Sequence, residues 1–358
     1  MSPVAGLVRL RKHQFGRQQL MGTKVAATRA YPHTGTPDVD LAWTDPEVDV
    51  GSRDPVAPPY RGPSELTASL DSPQLTYNNL TKILCGFFGG GEAPTGGGAS
   101  KTWSHEPSST TVDAIDPFTY EFGDDVLTDW YQFGDGIIES FEITGPEGLG
   151  VLTASETWRF GSVASTGSTD SPVSGTVPTP ALTVSTTDVP IFLKDGAIYI
   201  ASTTGGLGAG QVTGALHTFV LRGSQEIDLK RFADGTQTFD ISDYGPGARS
   251  IELECTFAKT ADIVGTGSES DAWMSDTAVN RYIRLTFTST EMASTGPDVP
   301  YSWTFDIPAR YYTREEGEIG GNTTVVLTAH AFFDGTNEVL DSSLVNTLTE
   351  AQLGNAGS

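Results

Sequence analysis

The sequence predicts a mainly β protein, and three observations lead to this fold class. Glycine and proline are frequent, with 41 and 21 copies among 358 residues. Charged residues make up only 18% of the chain, against roughly 25% in a typical globular protein. Short, partly alternating apolar stretches are separated by clusters of turn-forming residues, which is the pattern of strands and turns. Helical periodicity is confined to two short stretches, which argues against a helical bundle or a coiled coil.

The chain opens with a basic segment, residues 1–29, that contains no acidic residue. Its basic residues are Arg9, Arg11, Lys12, Arg17, Lys24 and Arg29. Because the net charge of the whole chain is −24, the remaining residues, 15 basic and 45 acidic, carry −30. Such a basic segment could bind DNA or hold an acidic partner, and another copy of this acidic chain is such a partner.

Residues 30–64 contain seven prolines, which exclude a central strand because proline donates no hydrogen bond to a sheet. They are predicted to form a long extended loop. Together, residues 1–64 are interpreted as a basic N-terminal arm followed by an extended loop that lies on another surface.

A first β domain is predicted over 65–161. It begins with a strand at Glu65–Leu70. Apolar residues then recur at helical spacing and stop at Gly89–Gly91, which predicts one helix: Tyr77, Leu80, Ile83, Leu84 and Phe87. Further strands are predicted at 101–105, 118–123, 136–143 and 151–160. Residues 162–189 are rich in Ser, Thr, Gly and Pro and are predicted to be a linker or a long hairpin loop.

A second, similar β domain is predicted over 190–348. Its strands are expected at 190–201, 215–222, 236–241, 250–258, 281–288, 301–307 and 323–333. A short helix is expected near 270–279, with Ser268 or Ser270 as its cap. An amphipathic stretch at 338–348 precedes a tail, residues 349–358.

The two domains have the same order of elements, which points to an internal duplication. The tetrapeptide Val-Leu-Thr-Ala occurs at both Val151–Ala154 and Val326–Ala329. Phe118–Phe122 likewise matches Ser302–Phe305 in its pattern. Because strands share a small vocabulary, a second half that is an unrelated decoration stays open.

No motif for catalysis, a cofactor or a metal is complete, so we expect no enzyme and no cofactor. The Lys101-Thr102 pair lacks the glycines of a phosphate-binding loop. The five histidines are scattered, no pair has metal-ligand spacing, and no nucleophile elbow is present. Close acidic pairs such as Glu315-Glu316 are expected in any chain with 45 acidic residues. We interpret them as solvated surface rather than as the carboxylates of a glycosidase.

The acidic body also disfavours ordinary nucleic-acid binding and adhesion to anionic membranes. Residues 1–19 lack the apolar core of a secretion signal, and no apolar run is long enough to span a membrane. Cys85 and Cys255 lie far apart and are interpreted as free thiols in a reducing compartment. These features suit an intracellular, self-assembling structural protein.

Several segments, in this order, carry a resemblance to a known family. They are Phe15–Arg17, Met21–Thr28, Gly51–Arg53, Pro58–Tyr60, Leu75–Gly90, Trp103, Glu106–Thr111 and Gly134–Phe141. In them the chain resembles the tail tube (major tail) proteins of long-tailed bacteriophages of the siphovirus type. The resemblance is best over 14–161 and looser from 190 to 345. The chain is longer than the plainest family members, which carry one tube domain.

The resemblance implies a β-sandwich or barrel with a flanking helix, whose sheets join side by side into rings that stack as a tube. It implies a virion protein with an acidic lumen that conducts DNA without binding it specifically; which acids face the lumen is not indicated. The implied partners are the chain itself, the tape-measure, tail terminator and distal tail proteins, and no membrane. A duplicated chain would form a pseudo-hexameric ring of three subunits, and an unduplicated one a ring of six. Assembly is expected in the host bacterial cytoplasm, and the basic residues of 1–29 are expected to contact a neighbouring subunit.

A different class of protein stays open, namely a carbohydrate-binding β-sandwich or adhesin of a virion or cell surface. It would present aromatic side chains on an exposed face, with Trp130-Tyr131 and Trp273 as candidates. The alternative interpretation is that these side chains pack in the core or between subunits.

Overall fold

A computed structural model describes most of the chain. The described residues are 11–18, 21–40, 43–44, 60–61, 65–88, 93–108, 116–124, 129–148, 150–165, 169–170, 173–174, 182–209, 211–213, 215–227, 248–264, 268–274, 279–295 and 297–353. Of the sequence predictions, the strand at 236–241 and the basic residue Arg9 lie outside these ranges.

The described residues form twenty strands, most of them in one extended antiparallel sheet system, with few helices. The strands of the first half are β1 Arg11–Arg17, β2 Arg29–Tyr31, β3 Thr34–Asp40, β4 Trp43–Thr44, β5 Tyr60–Arg61, β6 Glu65–Ser72, β7 Lys101–His105, β8 Phe118–Asp124, β9 Asp129–Gly145, β10 Thr153–Arg159, β11 Ser162–Ser165, β12 Thr169–Asp170 and β13 Val173–Ser174. Those of the second half are β14 Gly196–Ala201, β15 Leu216–Gln225, β16 Arg249–Ala258, β17 Arg281–Thr295, β18 Asp298–Ile319, β19 Asn322–Ala331 and β20 Asp341–Asn346. The helices are α1 Tyr77–Phe88, α2 Ala261–Val264, α3 Glu269–Met274 and α4 Glu350–Leu353. The predicted mainly β fold is therefore confirmed.

The helix predicted from the spacing of Tyr77 to Phe87 is α1, and every one of its residues is buried. Thr76 caps its start, because its hydroxyl accepts a hydrogen bond from the backbone N–H of Asn79 at 3.1 Å. The helix packs against β9, β7 and β20. It thereby joins an early part of the chain to its last strand. The short helix expected near 270–279 is found as α3, which begins at Glu269.

The prediction that 30–64 is entirely irregular is wrong, because β3, β4, β5 and part of β2 lie in this stretch. The longest of these strands is β3. This strand contains Pro37 and pairs with β6 along one of its edges. Among the described strands no other pairs with β3, so Pro37 lies in an edge strand, where a missing backbone donor is tolerated. The stretch 162–189 contains the short strands β11, β12 and β13, and the amphipathic stretch at 338–348 forms β20.

The pairing of strands occurs twice along the chain. In the first half, β9 pairs with β8 and β11 through its early residues and with β10 through its later ones. Pairing continues from β10 to β6 to β3, and from β8 to β1. In the second half, β18 takes the place of β9: it pairs with β17 and β20 early and with β19 late. Pairing continues from β19 to β16 to β15, and from β17 to β14.

A β-bulge fixes the register between the two repeats. Glu139 is the extra residue of β9 where it pairs with β10, and Tyr312 is the extra residue of β18 where it pairs with β19. The bulges make Arg159 of β10 equivalent to His330 of β19. The side chains repeat the relationship, since Arg159 bonds Glu139 at 3.0 Å and His330 contacts Tyr312 with ring centroids 3.7 Å apart.

The repeat in the strand pairing does not align the sequence segments that suggested a duplication. By the pairing, Val326 is equivalent to Ser155, so the two Val-Leu-Thr-Ala segments are offset by several residues. Phe118–Phe122 belongs to β8, whose equivalent is β17, whereas Ser302–Phe305 lies in β18. Those matches reflect shared strand composition, and the repeat is defined by hydrogen-bond pairing.

Candidate assembly surface

Eight strands follow one another side by side, in the order β3-β6-β10-β9-β15-β16-β19-β18. Each repeat contributes four of them. One face of this eight-stranded run is apolar and buried, as the alternating burial of β6 and β16 shows. The opposite face, which we call the polar face, carries mostly Ser, Thr and charged residues. This alternation is that of a sheet with one face against a core and one face toward solvent.

Acidic side chains outnumber arginines on the polar face. Cross-strand pairing aligns the acids Asp38, Asp40, Glu65, Asp71, Glu142, Glu252, Glu254 and Glu315, and the arginines Arg159, Arg222 and Arg310. Arg222 lies where the two repeats meet. It donates to Glu142 at 2.8 Å, to Glu252 at 2.8 Å and to Glu254 at 3.1 Å.

The ionisation of this cluster is set by these contacts. Partial burial alone would lower the pKa of Arg222 and raise that of Glu252. The hydrogen bonds that the guanidinium donates to three carboxylates outweigh burial and raise its pKa. Hydrogen bonds from Tyr312, Arg222 and His330 likewise lower the pKa of Glu252. The cluster is therefore charged at neutral pH, and its positive centre is shared among several acids.

The two repeats meet at an internal joint, where β9 pairs with β15 over residues 140–145 and 219–224. On the buried face, two phenylalanines lie against two glycines across this joint. A Cβ placed on Gly223 would lie 2.2 Å from the ring of Phe141, and one on Gly145 would lie 2.3 Å from the ring of Phe219. The glycines therefore allow two aromatic rings to lie flat across the joint, one from each repeat.

The two outer edges of the eight-stranded run are open among the described residues. At one end β3 pairs only with β6. At the other end, residues 310–319 of β18 pair only with β19. An open edge presents unpaired backbone donors and acceptors, and it is a template for pairing with another chain.

The basic residues predicted to contact a neighbour are placed as follows. Arg17 is 1% exposed and pairs with Asp116, and Arg29 pairs with Asp188. These two guanidinium groups thus hold the chain's own segments together. Arg11 is exposed at the start of β1, with its guanidinium 5.7 Å from the ring centre of Phe122.

The other two described basic residues are partly exposed. Lys12 lies next to Arg11 in β1, opposite Gly123 of β8. The side chain of Lys24 lies against Gly134. Burial lowers the pKa of Lys24, against the attraction of Asp135. The described basic residues are therefore distributed over separate places and do not form one patch.

Sequence reasoning missed a buried ionic cluster behind the sheet. Lys82 of α1 and Glu156 of β10 are 2.6 Å apart, and both side chains are fully buried. His33 Nε2 lies 2.7 Å from the ammonium of Lys82, which also lies 4.3 Å from the ring centre of Phe15. The indole N–H of Trp158 donates to the second oxygen of Glu156 at 2.9 Å. The partners are far apart in sequence, so no local pattern marks them.

Burial lowers the pKa of Lys82 to about 8, although Glu156 works in the opposite direction. Burial and the nearby ammonium lower the pKa of His33 well below its usual value. At neutral pH the imidazole is therefore neutral and accepts a hydrogen bond from Lys82 through Nε2. The cluster fixes α1 against β10 and has no opening to bind a substrate.

The aromatic side chains considered for sugar binding are mostly enclosed. Trp130 is 1% exposed, and Tyr131 is partly buried against the core. Trp273 is 36% exposed and Met274 60%, both at the end of α3. These two side chains do not lie on the polar face.

Other chemistries find little support in the described residues. In that part of the chain no group of His, Cys, Asp and Glu side chains is arranged to hold a metal ion, and none of its helices has the length and apolar character of a membrane span. Cys85 and Cys255 are buried free thiols, as predicted, and burial raises the pKa of each.

Comparisons with known proteins give structural matches but no match in sequence. No protein-family model matches the chain, and no curated protein matches it in sequence. Among solved structures, the chain is similar to the SPP1 tail tube, determined by solid-state NMR and cryo-EM. The TM-score is 0.29 and the identity 14%, over 45% of this chain and 81% of that chain. A similarity at this level does not identify the fold.

Proposed function

We propose that this protein is a structural virion protein that assembles with copies of itself into closed rings, and that the stacked rings form the tail tube of a long-tailed bacteriophage. The observation that carries the proposal is the eight-stranded run with two open edges. Its two ends are different strands, so pairing of one end with the other end of a second copy joins the copies head to tail. Such contacts close into a ring when the rotation per copy allows it.

The internal joint supports this proposal. Within one chain, β9 at the edge of repeat one pairs with β15 at the edge of repeat two. This pairing joins two units of the same topology by the kind of contact that ring closure would need. Closing the ring pairs both outer edges of the eight-stranded run, which also removes the aggregation hazard of these exposed strands. With two repeats per chain, three copies would provide six equivalent units.

The polar face suits the inside of a conduit for DNA. Its acidic side chains repel phosphate, and its serine and threonine residues offer no strong anchor for bases. We propose that Glu142, Glu252 and Glu254 are among the acids that face the lumen. The role requires no catalysis and no cofactor.

The partners follow from the tail tube role. They are further copies of the chain in the same ring and in adjacent rings, with the tape-measure, terminator and distal tail proteins at the inside and ends of the tube. Arg11 and Lys12, which lie beside the undescribed residues 1–10, are the described basic residues best placed to reach an adjacent ring. Assembly would take place in the host bacterial cytoplasm.

Electron microscopy of the purified chain tests the proposal. Rings or tubes with a central hole are expected, and class averages should show three-fold symmetry with six similar lobes. Discrete particles at every protein concentration, together with retention on a carbohydrate column, would favour the sugar-binding alternative and contradict the tube.

A further inference from the structure

The internal joint provides a template for the contact between copies, and the repeat equivalence gives its register. The bulges of β9 and β18 relate the late residues of these two strands. Because Glu139 and Tyr312 are equivalent, Glu142 of β9 is equivalent to Glu315 of β18. Both are acids on the polar face, and Glu315 is exposed in the chain.

The pairing from β10 through β6 to β3 likewise corresponds to the pairing from β19 through β16 to β15. Arg159 pairs with Thr67 of β6, and its equivalent His330 pairs with Glu252 of β16. The next strand places Asp38 of β3 opposite Thr67, and Arg222 of β15 opposite Glu252. Asp38 therefore occupies in repeat one the position that Arg222 occupies in repeat two.

Both equivalences concern the same residue pair of the internal joint. In the internal joint, Arg222 faces Glu142 and bonds it at 2.8 Å. Transferred to the other two edges, the same register places Asp38 of one copy opposite Glu315 of the next. The salt bridge of the internal joint is replaced there by two acids.

We propose that copies join through β3 and the late residues of β18, antiparallel, in the register of the internal joint, so that Asp38 of one copy faces Glu315 of another. The occupant of each open edge is thus a second copy of this chain. This inference rests on the proposed function and adds which residues meet. Like charges opposite each other weaken a strand pair. The contact between copies is therefore weaker than the internal joint, which has the same backbone pairing and an added ion pair.

A charge-exchange experiment tests the register. Asp38→Arg restores the arginine–glutamate pair of the internal joint, and Glu315→Arg restores an arginine–aspartate pair in reverse. Each single variant is expected to lower the protein concentration at which rings form, by about threefold or more. The double variant places two arginines opposite each other and should return toward wild-type behaviour. Asp71→Arg is the matched control, since it makes the same change in net charge on the polar face but lies in β6 rather than in an edge strand.

Disulfide trapping gives a second readout that does not depend on charge. Asp38→Cys and Glu315→Cys in one chain should form covalent multimers under mild oxidation. The control pair Asp40→Cys and Gly317→Cys, which is out of register by four residues, should not. The native thiols Cys85 and Cys255 are buried and contribute little background.

The outcomes separate the register from the proposed function. If rings form but the double variant assembles better than either single variant, or if Asp71→Arg acts as strongly as Asp38→Arg, the register is wrong while the ring stands. If the chain and all variants stay monomeric at every concentration, both fail.

Discussion

At the scale of single residues, the buried cluster of Lys82, Glu156 and His33 connects α1 to β10. A buried ion pair is weak support for stability in itself, because the two charges lose their hydration. Removing one partner is costly, because the other charge then stays buried alone. A packing of α1 on β10 that keeps Lys82 and Glu156 paired is therefore favoured over any packing that separates them.

We expect Lys82→Met to lower the free energy of unfolding by about 3–5 kcal/mol, and Glu156→Leu by a similar amount. The double variant should lose less than the sum, because it leaves no unpaired charge. Urea denaturation of the three variants measures this coupling, with Lys101→Met at a surface position as the control. Additive losses would show that the two side chains act independently.

Buried histidines are expected to make the protein sensitive to acid. Burial lowers the pKa of His105 to about 3 and that of His13 to about 4. The pKa of each of these histidines in the folded chain lies below the unfolded value of 6.5. Below pH 6.5 the unfolded chain therefore binds more protons than the folded chain. Stability is therefore lost as the pH falls from about 6.5 toward these values.

His105→Leu tests this origin of acid sensitivity. His105 is buried, and its Nε2 atom has no hydrogen-bond partner among the described residues. The loss of unfolding free energy between pH 7 and pH 5 should be smaller in the variant by about 2 kcal/mol. His217→Leu, at a partly exposed position, is the control for replacing a histidine by a leucine. An unchanged profile for His105→Leu would assign the acid sensitivity to other groups.

At the scale of elements, the joint between repeats depends on two small residues. Gly223→Val would drive a side chain into the ring of Phe141, and overpacking of this kind costs about 1–3 kcal/mol. We expect a lower melting temperature and a partial recovery when Phe141→Leu is added. Gly97→Val, where a Cβ meets nothing within 4 Å, is the control. Full stability of Gly223→Val would mean that the joint adjusts more easily than this geometry allows.

Elements also divide the N-terminal segment into two functional parts. β1 pairs with β8 and β2, and its Phe15 is 1% exposed. Deletion of residues 1–29 should therefore unfold the chain, whereas deletion of 1–10 should leave a folded protein. If these ten residues hold adjacent rings together, the shorter deletion yields rings that stack poorly in electron micrographs. If that variant formed normal tubes, residues 1–10 would not be required for the stacking of rings.

Sequence patterns predicted local elements better than long-range ones. The helix was predictable because Leu80, Ile83 and Phe87 repeat at helical spacing, and β7 matches its predicted bounds. The long strand β9 begins earlier than predicted, at Asp129, because Gly134 and Gly136 resemble a strand break when read alone. In the fold their missing side chains admit Lys24 and Phe160.

The candidate surface was less predictable than the elements. The acidic body was predictable from the charge of the chain, and the order of elements in the two halves led to the prediction of a duplication. The open edges and the salt bridge of Arg222 with Glu142 were not, because both depend on which strands become neighbours. Hydrogen-bond pairing carries that information, and it is not contained in any single segment.

At the scale of the whole molecule, the two repeats give the chain two different kinds of contact in the proposed ring. One kind folds with the chain and needs no encounter between molecules, since a covalent link holds the two repeats close at any protein concentration. The other kind forms only between copies. Fewer molecules must therefore meet to complete a ring than if every repeat were a separate protein.

The internal joint also has an evolutionary consequence. In a ring of identical single-repeat subunits, a substitution at the shared contact is repeated at every boundary, so it changes folding and growth of the tube together. In the proposed ring, a substitution on the outer edge of β3 or of the late part of β18 alters the boundaries between molecules, whereas one in the pairing of β9 with β15 alters the boundary within each molecule. In such a ring, selection can adjust how readily the tube grows with little effect on the durability of each subunit.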